Sequence, residues 1–197
     1  MRITRITSRP LCRTAAVLAT AASVVALPAL ARAQRPLDPV QAVPVTALAT
    51  RADSLDARAA AYEQASSVRR WREAARLRER AAGLRAPDDP AGFTSLARAA
   101  ALRHGIGQPL AAGDLMERAG DQAIARGDVV NASWAYMNAG FVAAELRDPA
   151  RAREFFTKGM LLMRSPLLST PQREWLQGHV APAASRLGTE VAAAAGL

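Results

Sequence analysis

Cysteine and histidine are almost missing from this sequence: 197 residues hold one cysteine, Cys12, and two histidines, His104 and His179. The histidines are far apart and show no HxxxH or Glu-x-x-His spacing, so no metal site is expected. Asp114, Asp121 and Asp128 recur every seven residues without the glycine-bearing Asp/Asn pattern of a calcium loop, which predicts one exposed face instead. A nucleophile elbow, a phosphate-binding glycine loop and a Ser/His/Asp set are also missing. The sequence therefore predicts no cofactor and no enzymatic activity. Alternating apolar and polar residues are scarce too, and no strand is expected. Aromatic residues make up 5% of the chain, so a place where several gather is informative.

The amino terminus has a separate logic. Arg2, Arg5, Arg9 and Arg13 precede an apolar run from Thr14 to Leu30, and the small-residue end Ala31-Arg32-Ala33 follows. This is the three-part pattern of a secretory signal peptide, with cleavage expected before Gln34. The run is alanine-rich, interrupted by Pro28 and shorter than the roughly 20 residues of a spanning helix, so no stable membrane span is expected after cleavage. There is no arginine pair for twin-arginine export, and Cys12 lies ahead of the run, where it does not serve as a lipid-bearing cysteine. Removing residues 1–33 takes the only thiol with it, which excludes disulfides and thiolate chemistry. It also lowers the formal charge from +9 to +4, because the leader holds five arginines and no acid. The high isoelectric point is thus largely an arginine effect. Export argues against a nucleic-acid partner and for a periplasmic or secreted location.

Pro36, Pro39 and Pro44 make residues 34–45 an extended spacer. From Thr46 the composition turns to Ala, Leu, Arg and Glu, which is helical composition. Leu48, Ala52, Leu55, Ala59 and Tyr62 form one amphipathic stripe, and Val68, Trp71, Ala75 and Ala82 form a second that stops at Pro87–Pro90. A third helix is expected from Phe93 to Arg103, and a fourth from Pro109 to Arg126 ending at Gly127-Asp128. The fifth and sixth divide at Asp148-Pro149, and a last one opens at Thr170-Pro171 and weakens at Pro182. Short connections favour antiparallel neighbours, so the chain reads as three helical hairpins and a terminal helix. The expected organisation is a helical-repeat domain over 46–187 and a tail over 188–197. Aligning Ala75, Ala112 and Ala152 gives spacings of 37 and 40 residues, the mark of a helical-repeat array.

The best copy is Tyr136-x2-Ala139-Gly140-x2-Ala143 followed by Ala152-x3-Phe156, with Ala112-x3-Met116-x2-Ala119 as a fainter second and Trp71, Ala74 and Ala81 suggesting a third. It resembles the tetratricopeptide repeat, although Gly159 stands for the usual second-helix alanine and Arg164 for the usual proline. The resemblance covers about residues 46–165 and implies an all-α fold: antiparallel hairpins stacked as a short right-handed solenoid, about three hairpins plus a C-terminal capping helix. It also implies a concave groove lined by the first helix of each hairpin and open to a protein or peptide partner.

At about 100° per residue, Tyr136, Ala139, Gly140 and Ala143 share one face of the fifth helix. That face is expected to close a hairpin against Ala152 and Gly159, so that a bulky residue at Gly140 overpacks the contact. Trp134, Met137, Asn138, Phe141 and Glu145 fall on the nearly opposite face and are the candidate partner-binding residues. Two readings of that face stand: packing by the preceding repeat or by the terminal helix with Trp175, Leu176 and Val180, or a surface for a ligand. Arg69, Arg70, Arg72, Arg76, Arg78 and Arg80 make the second helix basic, which suits contact with an anionic envelope polymer or a lipid head group; with Glu73 and Glu79 interspersed, a solvated, ion-paired face is the expected reading. The function expected is a non-enzymatic adaptor or scaffold for a protein or peptide. The alternative is a structural or accessory subunit with its apolar face buried in a larger complex or a homodimer.

Overall fold

The computed structural model describes residues 44–186, with side chains as far as His179. The expected leader, all but the last two residues of the spacer, and the tail lie outside the described residues. Seven helices make up that part: α1 (Val45–Glu63), α2 (Val68–Leu84), α3 (Pro90–Gly105), α4 (Pro109–Ala125), α5 (Val129–Glu145), α6 (Pro149–Met163) and α7 (Thr170–Arg186). Each of α1 to α6 packs on its neighbours in sequence, and α7 packs back on α5. The fold is an all-α solenoid of antiparallel hairpins with a closing helix.

The turns explain where the helices stop. Gly107, Gly127 and Arg147 hold positive φ values of 75°, 72° and 57°, and each ends a helix with the same bond from the following residue back across the last turn. Gln108 N donates to Arg103 O at 2.8 Å, Asp128 N to Ala123 O at 2.9 Å and Asp148 N to Ala143 O at 2.9 Å. This six-to-one closure satisfies carbonyls that the helix leaves without partners. The next helix then begins at once. Asp128 and Asp148 accept from Asn131 N and Arg151 N, both at 3.1 Å. Asp89 caps α3 by accepting from Ala91 N at 2.9 Å, and with Pro90 in the first helical position this starts α3 three residues ahead of the expected Phe93. At the other end, α7 continues through Pro182 to Arg186 rather than weakening there.

Helix contacts are spaced by glycine. A Cβ on Gly120 of α4 would come within 2.8 Å of the Tyr136 ring on α5, and one on Gly140 of α5 within 2.8 Å of the Phe156 ring on α6. Both pairs are the same device shifted by twenty residues, the step that also separates the three left-handed turn positions. The unit that repeats is therefore a helix and its turn, and the forty-residue hairpin period contains it twice. Tyr136 consequently seats chiefly on α4, with Lys158 of α6 over its ring at 5.5 Å, while Gly140 closes the α5–α6 hairpin.

Two apolar clusters form the core. The larger runs from Ala82 and Phe93 through α4, α5 and α6 to Leu168 and Leu176. The smaller joins Ala52, Leu55 and Ala59 of α1 to Ala74, Leu77 and Ala81 of α2. Because alanine buries little area per residue, that second interface leans on polar bonds. Arg85 sits 6% exposed with one amino group 2.8 Å from both Asp53 and Asp56 and the other 3.0 Å from Asp89. Burial works against its charge, but the bonds from Asp56, Asp53 and Asp89 outweigh it and raise its pKa. Asp56 also accepts from Arg78 at 3.0 Å and from Ser95 at 2.8 Å. Arg78 thus leaves the solvated face expected for it and binds α1.

Candidate functional site

A groove runs between α3 and α5. Two adjoining hollows of about 400 Å³ and 460 Å³ share Ala97, Ala101 and Trp134 and make it continuous. Small side chains at Ala97, Ala100 and Ala101 form one wall, because they recur along one face of α3. The opposite wall is α5, whose Trp134, Asn138, Phe141, Val142 and Glu145 line the first hollow. Trp175 and His179 of α7 stand at one end, their rings 4.2 Å apart.

Four of the five residues singled out from sequence meet in this groove. Trp134 is half-buried, its ring edge-on to Phe93 with centroids 6.1 Å apart. Phe141 is half-buried against Phe156, edge-on at 5.0 Å. Asn138 donates its amide to Trp134 O at 2.7 Å, which holds the side chain along the helix. Glu145 lies 2.6 Å from His104 Nε2 across the groove and joins the C-terminal ends of α3 and α5. Packing by the preceding repeat is thus realised in part, at the Trp134 edge that Phe93 covers, while Phe141 packs on α6; the remaining edges of both rings line the groove.

Met137 is the correction. It is 1% exposed and turned into α6, where a Cβ on Gly159 would come within 2.6 Å of its sulfur. Beside it the Ser133 hydroxyl donates to Gly159 O at 2.9 Å, so the two backbones approach closely. The physical reason is the number of neighbours. A helix between two others buries two faces, and a residue about 100° round from Tyr136 meets the second one. The α3 wall and Val142 escaped the sequence reading. Their signal was present: Ala97, Ala100, Ala101 and His104 follow the i, i+3, i+4, i+7 spacing of one helix face.

Charge around the groove is uneven. Arg98 stands exposed by the second hollow, whereas the Glu145–His104 pair marks the far end. Behind the groove, Tyr136 donates its hydroxyl to Asp121 at 2.7 Å, and burial, then the Asp121 carboxylate, pushes its phenol above the ordinary range. The three aspartates spaced by seven serve separate ends: Asp114 pairs with Arg151 at 2.9 Å, Asp121 holds Tyr136 and Asp128 caps α5. Among the described residues, no three His, Cys, Asp or Glu side chains gather as a metal would need, and no helix is long and apolar enough to cross a membrane. No protein-family profile matches the chain, and no curated protein matches it.

Proposed function

We propose that this chain is an exported, non-enzymatic binding module of tetratricopeptide type, which holds a peptide segment of a partner protein in the α3–α5 groove. The observation that carries the reading is the half-open state of Trp134 and Phe141, two large rings facing a row of alanines across a continuous groove. Fully packed rings leave no groove, and what supports the reading is that both rings line one continuous concave surface rather than standing singly. From Asn131 to Glu145 the α5 wall is about 21 Å long at 1.5 Å per residue, room for about six residues of extended chain. Alanines on the α3 side let a backbone approach closely, and the rings supply apolar area for alternate side chains.

The test uses a displayed peptide library selected against the purified chain, followed by affinity measurements on variants. Ala101→Glu places a charge in the groove at an exposed position, and Arg118→Glu on α4 is the control. Binding weakened about tenfold or more by the first and unaltered by the second supports the groove. Equal binding by both variants, with melting temperatures unchanged, overturns it.

A second reading rests on a different patch. Leu161 and Leu167 are 61% and 76% exposed beside the α6–α7 connection, which suits a subunit buried in a larger assembly or a homodimer. Sedimentation of the purified chain distinguishes them: a monomer at micromolar concentration counts against the homodimer.

A further inference from the structure

The turn between α1 and α2 carries a second concave surface with opposite chemistry. A hollow of about 910 Å³ is lined by Tyr62, Ser67, Arg69, Arg70, Arg72, Glu73 and Arg76. Four guanidinium groups share it with one carboxylate. The ion pairs formed elsewhere on α2 sharpen the contrast: Arg78 is taken by Asp56 and Glu63, and Glu79 is taken by Arg103. Arg76 approaches Glu73 only at 3.6 Å, and among the described residues Arg69, Arg70 and Arg72 have no acidic partner.

Their placement runs against helix electrostatics. Arg69 and Arg70 lie in the first turn of α2, which contains no acid, and Ser67 makes no side-chain capping bond there. The positive end of the helix dipole therefore faces cations, the unfavourable arrangement. Arg69, Arg72 and Arg76 follow the i, i+3, i+7 spacing of one face, so like charges adjoin as well. A free anion in the hollow relieves both repulsions at once.

We propose that this hollow is a binding site for a phosphate-bearing anion with two or more phosphate groups close together. Guanidinium forks match phosphate oxygens bidentately, and several of them converge on one concavity. The anion is either a cluster of phospholipid head groups at a membrane surface or a soluble oligophosphate. Val68 stands 56% exposed beside Arg69 at the turn, an apolar contact available to a lipid surface.

Two probes separate the sources: phosphatidylcholine vesicles with and without phosphatidylglycerol, and inorganic tripolyphosphate, each titrated into the purified chain. Variant Arg69→Gln/Arg72→Gln removes two charges from the hollow, and Arg118→Gln/Arg153→Gln removes two from α4 and α6. The expected result is binding of at least one probe, weakened about tenfold or more by the first pair and little changed by the second. Vesicle binding that requires phosphatidylglycerol assigns the lipid source, and tripolyphosphate binding alone assigns the soluble one; either supports the site. No binding of either probe, or equal loss with both pairs, overturns it, since equal loss reports net charge only. Arg70→Gln/Arg76→Gln repeats the measurement should the first pair fail to fold.

Discussion

Single residues in this chain matter through the space they leave. At Gly140 a methyl group would enter the Phe156 ring, which is buried and held edge-on by Phe141. Gly140→Ala is therefore expected to destabilise by about 1 to 3 kcal/mol through overpacking. Gly83, also helical, has nothing within 4 Å of its added Cβ, and Gly83→Ala is expected to stabilise by about 0.5 to 1 kcal/mol through backbone entropy. Chemical denaturation of both variants reads the contrast, and a shift of the same sign in the two would refute it. Tyr136 carries a pH prediction. Its folded pKa lies above the ordinary 10.0, so the native state holds a proton that the unfolded chain gives up at lower pH. The associated stability is complete below pH 10 and declines as pH rises above it. Tyr136→Phe should flatten that decline while leaving the acid side alone, as measured by urea unfolding across the alkaline range.

At the level of elements, the turns show how much of the fold was legible and where legibility ended. Gly127-Asp128 and Asp148-Pro149 are visible stop and start signals, and the helices they bound agree with expectation to within a residue or two. Arg147 is not such a signal, yet it adopts the same left-handed conformation as Gly107 and Gly127. For a residue with a Cβ this conformation costs about 1 to 2 kcal/mol, so Arg147→Gly should raise the melting temperature; a lower one would mean that the arginine side chain contributes a bond stronger than the strain. The twenty-residue unit was hidden for a related reason. Its most distinctive positions vary, glycine or arginine in the turn and tyrosine or phenylalanine on the next helix, while the residues that do recur at that step, Ala112/Ala132/Ala152, Gly120/Gly140 and Asp128/Asp148, are small or capping residues common throughout the chain. In the groove, Trp134, Asn138, Phe141 and Glu145 were readable from the period of α5 alone. Met137 was not, because the period gives an angle around the helix axis and no count of neighbours.

Across the whole molecule, nearest-neighbour packing makes stability local. The α1–α2 interface is mostly alanine and depends on Arg85 and Asp56, whereas α3 to α6 share a larger core with interlocked rings. Hydrogen exchange is expected to show α1 opening at lower free energy than α4 or α5. Arg85→Ala leaves three carboxylates without their shared cation and should destabilise by about 3 kcal/mol, widening that difference; uniform protection in the variant would refute the division. The groove and the arginine hollow sit on different parts of this array, the groove on α3 and α5 and the hollow on α2.

The sequence by itself determined the all-α class, the number and approximate limits of the helices and the hairpin order, because these follow from composition, apolar period and turn residues close together in the chain. It also placed Trp134, Asn138, Phe141 and Glu145 on the outer stripe of α5. Only the tertiary structure decided that Met137 is core and that the Tyr136 ring packs against α4. The same holds for Arg78, which leaves the basic face for α1, and for Ala97, Ala101 and His104, which supply the other wall of the groove. Each of these depends on which neighbour occupies the space beside a helix, and that is a matter of packing between segments about fifteen to forty residues apart.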